Sequence, residues 1–176
     1  MAWDELMTGR GKIHLIACGG TALTLLGHKA STVDVDFIIP EESEYQRLVY
    51  FLRQAGYEQL SAHRWKRQGE VILFDLFPGS SVYTTSLLDS PLKPGLNRMV
   101  REFKKIYLGV LNSIDLIITK LFRGHEVDFQ DCQLLVQKEL VDTKALVDRY
   151  QETAKYETGE AKVLRNLELF LQRIQA

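Results

Sequence analysis

The run Val71-Ile72-Leu73-Phe74-Asp75-Leu76-Phe77 constrains this chain more than any other stretch of it. It sets one carboxylate among apolar side chains, and a stretch so uniformly apolar is expected of a strand covered on both faces. A carboxylate in that setting is costly unless it is paired, bound to a metal or protonated. Which of these holds, or whether a loop simply hydrogen-bonds Asp75, stays open at this point, and the rest of the sequence can be searched for other members of a site.

The next member lies in Val33-Asp34-Val35-Asp36-Phe37. Side chains alternate along a strand, so Asp34 and Asp36 share one face while Val33, Val35, Phe37 and Ile39 share the other. Two carboxylates about 6 Å apart repel by roughly 3 kcal/mol at an effective dielectric near 20. A divalent cation removes that cost and turns the pair into ligands; a solvated strand edge would screen it instead. If the two strands are neighbours, Asp34, Asp36 and Asp75 converge, a pattern suited to two metal ions, or to one metal ion and a general base. A phosphohydrolase that forms an aspartyl-phosphate wants its Asp-x-Asp pair at the exit of an apolar strand. Here Phe37-Ile38-Ile39 follow the pair, which places the acids at the strand's entry. Upstream, Gly19-Gly20-Thr21 breaks the strand-like stretch Lys12–Cys18 and opens a short helix. Glycines allow close approach of backbone to a ligand, and a helix start offers N–H groups to phosphate, although a Gly-Gly pair alone is also an ordinary turn.

Periodicity places these pieces in order. Residues 1–9 are expected as a short helix, Lys12–Cys18 as a strand, Thr21–Leu26 as a helix and Val33–Ile39 as a strand. Glu42–Ala55 is an amphipathic helix stopped by Gly56. Tyr57–Leu60, His63–Arg67 and Glu70–Phe77 read as strands, the last two joined by a turn at Gln68-Gly69. Residues 78–98, with Pro78, Gly79, Pro91, Pro94 and Gly95, read mostly as loop with a short strand near Val82–Tyr83, and another strand falls near Lys105–Val110. From Asn112 the character turns helical: Asn112 or Ser113 caps a helix ended by Gly124, and helices follow at about 128–138, 143–157 and 160–175. The expected class is α+β: a small mixed β-sheet core with flanking helices over residues 1–110, then a C-terminal helical bundle over 111–176 packed on that core.

These elements in this order resemble the nucleotidyltransferase superfamily, which has the DNA polymerase β-like fold. The resemblance runs from Gly19-Gly20-Thr21-Ala22-Leu23 through Lys29-Ala30-Ser31-Thr32-Val33-Asp34-Val35-Asp36-Phe37 to a third Asp on a neighbouring strand. Thr32-x-Asp34-x-Asp36 is most similar to the branch containing AbiEii-type toxins. So is Asn112-Ser113-Ile114-Asp115-Leu116-Ile117-Ile118-Thr119-Lys120-Leu121, followed by Arg123-Gly124 and Asp128-x-x-Asp131. Many relatives carry Arg where this chain has Ala30, which leaves Lys29 as the nearest cation.

The resemblance implies transfer of a nucleoside monophosphate from a nucleoside triphosphate (NTP) to an acceptor hydroxyl, with Mg2+ or Mn2+ as cofactor. Asp34, Asp36 and Asp75 would be the catalytic and metal-binding acids. Gly19, Gly20, Thr21, Lys29, Ser31, Thr32, Lys120 and Asp131 would serve the nucleotide. RNA such as tRNA, or a protein, is the implied acceptor, and a cognate antitoxin the implied protein partner. The alternative within the same fold is a catalytically silent nucleotide-binding or regulatory module.

Charge balance, with 22 basic and 23 acidic residues, gives no global field for nucleic acid or membrane. Local patches at His63-Arg64-Trp65-Lys66-Arg67 and at Arg98, Arg101, Lys104 and Lys105 could hold an RNA acceptor, the first through stacking of Trp65 on a base. No apolar stretch reaches the roughly 20 residues of a membrane span. The N-terminus has no signal-peptide pattern, and Cys18 and Cys132 read as reduced core thiols, so a cytoplasmic protein is expected.

Overall fold

The computed structural model describes residues 2–9 and 11–175, without the side chain of Ala2. Met1, where the expected first helix begins, lies outside the described residues, as do Arg10 and Ala176. The described chain divides into two compact units, residues 1–80 with 90–111, and residues 81–89 with 112–176.

The first unit opens with helix α1 (Ala2–Leu6), strand β1 (Ile13–Ala17), helix α2 (Gly19–Leu25), strand β2 (Asp34–Ile39) and helix α3 (Glu42–Gln54). Strands β3 (Tyr57–Gln59), β4 (Arg64–Arg67) and β5 (Leu73–Pro78) follow. Together with two later strands they form a seven-stranded mixed sheet. Strand β5 lies between β4, antiparallel, and β2, parallel, and β2 in turn pairs antiparallel with β1. The β2–β5 register sets Asp36 opposite Asp75 and Asp34 opposite Leu73, so the two acid-bearing strands are neighbours. The apolar run enters the sheet at Leu73 rather than Glu70: Val71 and Ile72 are 93% and 51% exposed, because the turn after β4 closes at Glu70 and the ladder with β2 begins only at Leu73. On the face opposite Asp75, Phe74 packs against Trp3 at 4.7 Å and Tyr57 at 5.9 Å between ring centroids, and Trp65 is fully buried.

After the short hairpin β6 (Ser81–Val82) and β7 (Thr85–Ser86) come β8 (Asn97–Glu102) and β9 (Ile106–Leu111). Strand β9 lies parallel to β1, and β8 closes that edge of the sheet. The sequence reading ended its loop at 98 and missed β8. This strand is an edge strand, exposed along nearly its whole length, so it has neither an apolar run nor a buried-face alternation to mark it.

In the second unit, helices α4 (Ser113–Arg123), α5 (Glu126–Glu139), α6 (Thr143–Ala154) and α7 (Glu160–Gln175) pack on one another. The Asn112 side chain accepts the N–H of Asp115 and caps α4, and Gly124 ends it in the left-handed conformation. Leu116, Ile117, Leu121, Leu135, Leu146, Tyr150, Leu167 and Phe170 are buried in this half of the sequence. The α+β class expected from sequence holds. Among the described residues no helix is long and apolar enough to cross a membrane.

Candidate active site

The site is built where β1 gives way to α2. Ala17 is the last β1 residue in the ladder with β2, so beyond it β2 needs other partners. The Cys18 N–H donates to the Asp36 carbonyl at 3.1 Å. The Asp36 N–H finds the Thr21 hydroxyl at 2.8 Å, and the same hydroxyl donates to the Asp34 carbonyl at 3.2 Å. The Thr32 hydroxyl donates to that carbonyl as well, at 3.0 Å. Two hydroxyls thus take over where the strand ladder stops and fix the backbone of the Asp34–Asp36 segment. Sequence reasoning assigned Thr21 and Thr32 to the nucleotide; both hydroxyls are engaged in this bracing.

Gly19 and Gly20 lie directly against it. Gly19 has φ +56°, and a Cβ there would stand 2.4 Å from Asp36 Oδ2. A Cβ on Gly20 would stand 2.5 Å from Thr32 Oγ1. The N–H groups of Gly19, Gly20 and Thr21 start the helix and have no acceptor four residues back within it. Lys29 is half-buried in the turn after α2, its N–H donating to the Leu23 carbonyl, and Ser31 is exposed.

Asp75 is paired with a residue the sequence reading had not connected to it, Arg64, which stands opposite Asp75 in the β4–β5 ladder. Its Nε donates to Asp75 Oδ1 at 2.9 Å and its Nη2 to Asp75 Oδ2 at 2.7 Å, a two-pronged pairing. The same Nη2 reaches Asp34 Oδ2 at 3.0 Å. Asp75 and Asp36 are 3% and 6% exposed. Asp34 keeps one oxygen, Oδ1, buried and without a hydrogen-bond partner.

Arg64 is the residue that sequence reasoning placed in the wrong company. Of the basic patch at 63–67, Arg64 faces the acids, Trp65 is buried where no base can stack on it, and His63 packs on Phe77 at 4.9 Å. The available signal was its alternation with Trp65: a strand with a buried Trp on one face turns its arginine to the other. In the second patch Arg98, Arg101 and Lys104 are exposed, while Lys105 Nζ donates to the Gly9 carbonyl.

Oxygen-only ligands suit a hard divalent cation. Asp34, Asp36 and Asp75 supply them on one sheet face, and the unpartnered Asp34 Oδ1 is an acceptor that such an ion would satisfy. Among the described residues no group of three His, Cys, Asp or Glu side chains is gathered tightly enough to hold a metal on its own.

Lys120 and Asp131 lie in the helical unit. Lys120 is 2% exposed, and its Nζ donates to Asp131 Oδ2 at 2.8 Å and lies 3.8 Å from Asp128 Oδ1. Arg123 Nη2 donates to Asp128 at 2.6 Å. A cation flanking an apolar helical stripe ordinarily reaches for solvent; here two α5 carboxylates draw it inward. Asp115, also buried, is forked by Arg149 Nε and Nη2 at 2.6 and 3.0 Å, while Arg149 Nη1 holds Asp89 at 3.1 Å. These carboxylates, Asp115 above all, raise the Arg149 guanidinium above its ordinary pKa.

The chain belongs to a nucleotidyltransferase family: the family described as nucleotidyltransferase of unknown function (DUF6036) matches it over residues 2–175. Among solved structures it is similar to the antibiotic-resistance factor ANT(2'')-Ia in solution, at 16% identity over 93% of this chain and 84% of that one, with a TM-score of 0.45. A crystal structure of ANT(2'')-Ia in complex with adenylyl-2''-tobramycin matches at 15% identity, over 92% and 88% of the two chains, with a TM-score of 0.46. JHP933 from Helicobacter pylori matches at 13% identity, over 92% and 85%, with a TM-score of 0.42. No curated protein matches the sequence.

Proposed function

We propose that this nucleotidyltransferase moves a nucleoside monophosphate from a nucleoside triphosphate to an acceptor hydroxyl, with Mg2+ or Mn2+ held by Asp34, Asp36 and Asp75. The observation that carries the proposal is the β2–β5 register, which sets the two acid-bearing strands side by side. A divalent ion there would neutralise charge building on the triphosphate. The rest of the task is positioning. Gly19, Gly20 and Thr21 would present backbone N–H groups to the phosphates, with Lys29, Ser31 and Thr32 beside them. The acceptor oxygen attacks the α-phosphorus, the bond to the bridging oxygen breaks, and pyrophosphate leaves with the electron pair. Asp75, once parted from Arg64, takes the hydroxyl proton. Lys120 and Asp131 would contribute by holding α4 to α5.

The resemblance to the AbiEii-type branch supports RNA such as tRNA, or a protein, as the acceptor, and a toxin controlled by an antitoxin as the role. The test is incubation with each α-labelled triphosphate, Mg2+, and total RNA or total protein. Wild type should transfer label and Asp36→Asn and Asp75→Asn should not; no transfer with any nucleotide refutes the proposal. The Arg64 ion pairs favour a second reading, a module that binds nucleotide without turnover. Tight nucleotide binding that yields no product and is unchanged in Asp75→Asn would select it.

A further inference from the structure

We infer that Arg64 is a built-in counter-cation that holds the acid site in the metal-free chain and has to leave Asp34 and Asp75 when a divalent ion binds. The inference rests on the metal-dependent reading above and adds a competition that this reading does not contain. Three observations carry it. Arg64 takes both oxygens of Asp75 and one of Asp34, the atoms a divalent ion would need. Two cations cannot use the same carboxylate oxygens at contact distance without strong mutual repulsion. The pair is also asymmetric in exposure, because the Arg64 side chain is 37% exposed and that of Asp75 4%. When the pair opens, Arg64 carries its charge toward water while Asp75 stays buried and in need of a cation, so exchange of one cation for another is the favourable way to open it. Finally, Asp34 has an unmet need: its Oδ1 is buried without a partner while its Oδ2 is on Arg64. An ion that replaces Arg64 can satisfy this oxygen, which the guanidinium leaves without a bond.

Two measurements on the full chain test this. In the first, Mn2+ binding is read from the electron paramagnetic resonance of the free ion, for wild type and Arg64→Gln. The variant is expected to bind about tenfold tighter or more, because the competing charge is gone. In the second, the Nε–H resonance of Arg64, assigned by its loss in Arg64→Lys, is followed in wild type during a Mg2+ titration. It is expected to shift or broaden as the ion binds. If the ion binds and the resonance stays in place, or if Arg64→Gln binds no tighter, the displacement is overturned and the metal-dependent reading stands. If neither chain binds Mn2+, the metal-dependent reading itself fails, and the inference with it. Should Arg64→Gln not fold, the resonance of the wild-type chain decides alone.

Discussion

At position 19 a methyl group would press on Asp36 Oδ2 from 2.4 Å, on a backbone already at φ +56°. Left-handed geometry costs an L-residue about 1–2 kcal/mol before any clash is counted. Gly19→Ala is therefore expected to lose about 2 kcal/mol of stability in urea denaturation and to weaken Mn2+ binding by displacing Asp36. Thr21→Val keeps the shape and removes both hydrogen bonds of the hydroxyl. The buried Asp36 N–H then lacks its acceptor, so a loss of about 1–3 kcal/mol is expected by the same measurement; stability equal to wild type would show that the bracing is unimportant. The acids themselves were legible in the sequence, because strand alternation alone puts Asp34 and Asp36 on one face. Arg64 was legible only in part: alternation with Trp65 gives the face it occupies, but that it meets Asp75 there depends on the β4–β5 register, a long-range pairing. The bracing by Thr21 and Thr32 was hidden for a similar reason: a hydroxyl near a glycine turn looks the same whether it meets phosphate or backbone.

Helices α4 and α5 are joined by a buried ionic cluster as well as by apolar contact. Lys120 lies between Asp131 and Asp128, and Arg123 completes the set. Removing one partner of a buried pair strands the other, at a cost of about 3–5 kcal/mol. Lys120→Met should destabilise the chain by that order. Lys120→Met with Asp131→Leu should recover part of the loss, giving a coupling that a double-mutant cycle reads directly. Additive losses would mean that the two residues act separately. At this scale the sequence was informative where burial is regular: the α4 stripe and the Gly124 stop follow from pattern, and the cap was narrowed to Asn112 or Ser113. It was silent on β8, whose exposed charged residues are shaped by the edge they occupy.

Over the whole molecule, two buried acidic groups of the helical unit contribute to its response to alkali. Burial pushes the Cys132 thiol above its ordinary 9.0 and the Tyr150 hydroxyl above its ordinary 10.0. The Tyr150 hydroxyl also donates to the Val163 carbonyl at 2.7 Å. The folded chain then holds protons that the unfolded chain releases, so this contribution is complete below about pH 9 and is lost as pH rises through and beyond it. Melting temperature should fall from about pH 8 to about pH 10.5 more steeply in wild type than in a Cys132→Ala, Tyr150→Phe double variant; parallel slopes would discount the two groups. Native Cys132 should likewise resist a thiol reagent until the chain unfolds.

The two compact units are not consecutive lengths of sequence, since residues 81–89 belong with 112–176. The polypeptide passes from one unit to the other three times, after 80, after 89 and after 111. A gene cut at codon 111 would therefore yield no natural half. The upstream product would carry an orphan hairpin, and the downstream product would lack Asp89, leaving Arg149 short of one of its two acidic partners. Dissection of this protein calls for a deletion of 81–89 replaced by a short linker in the upstream piece, or for co-production of both pieces so that the missing segment is supplied in trans.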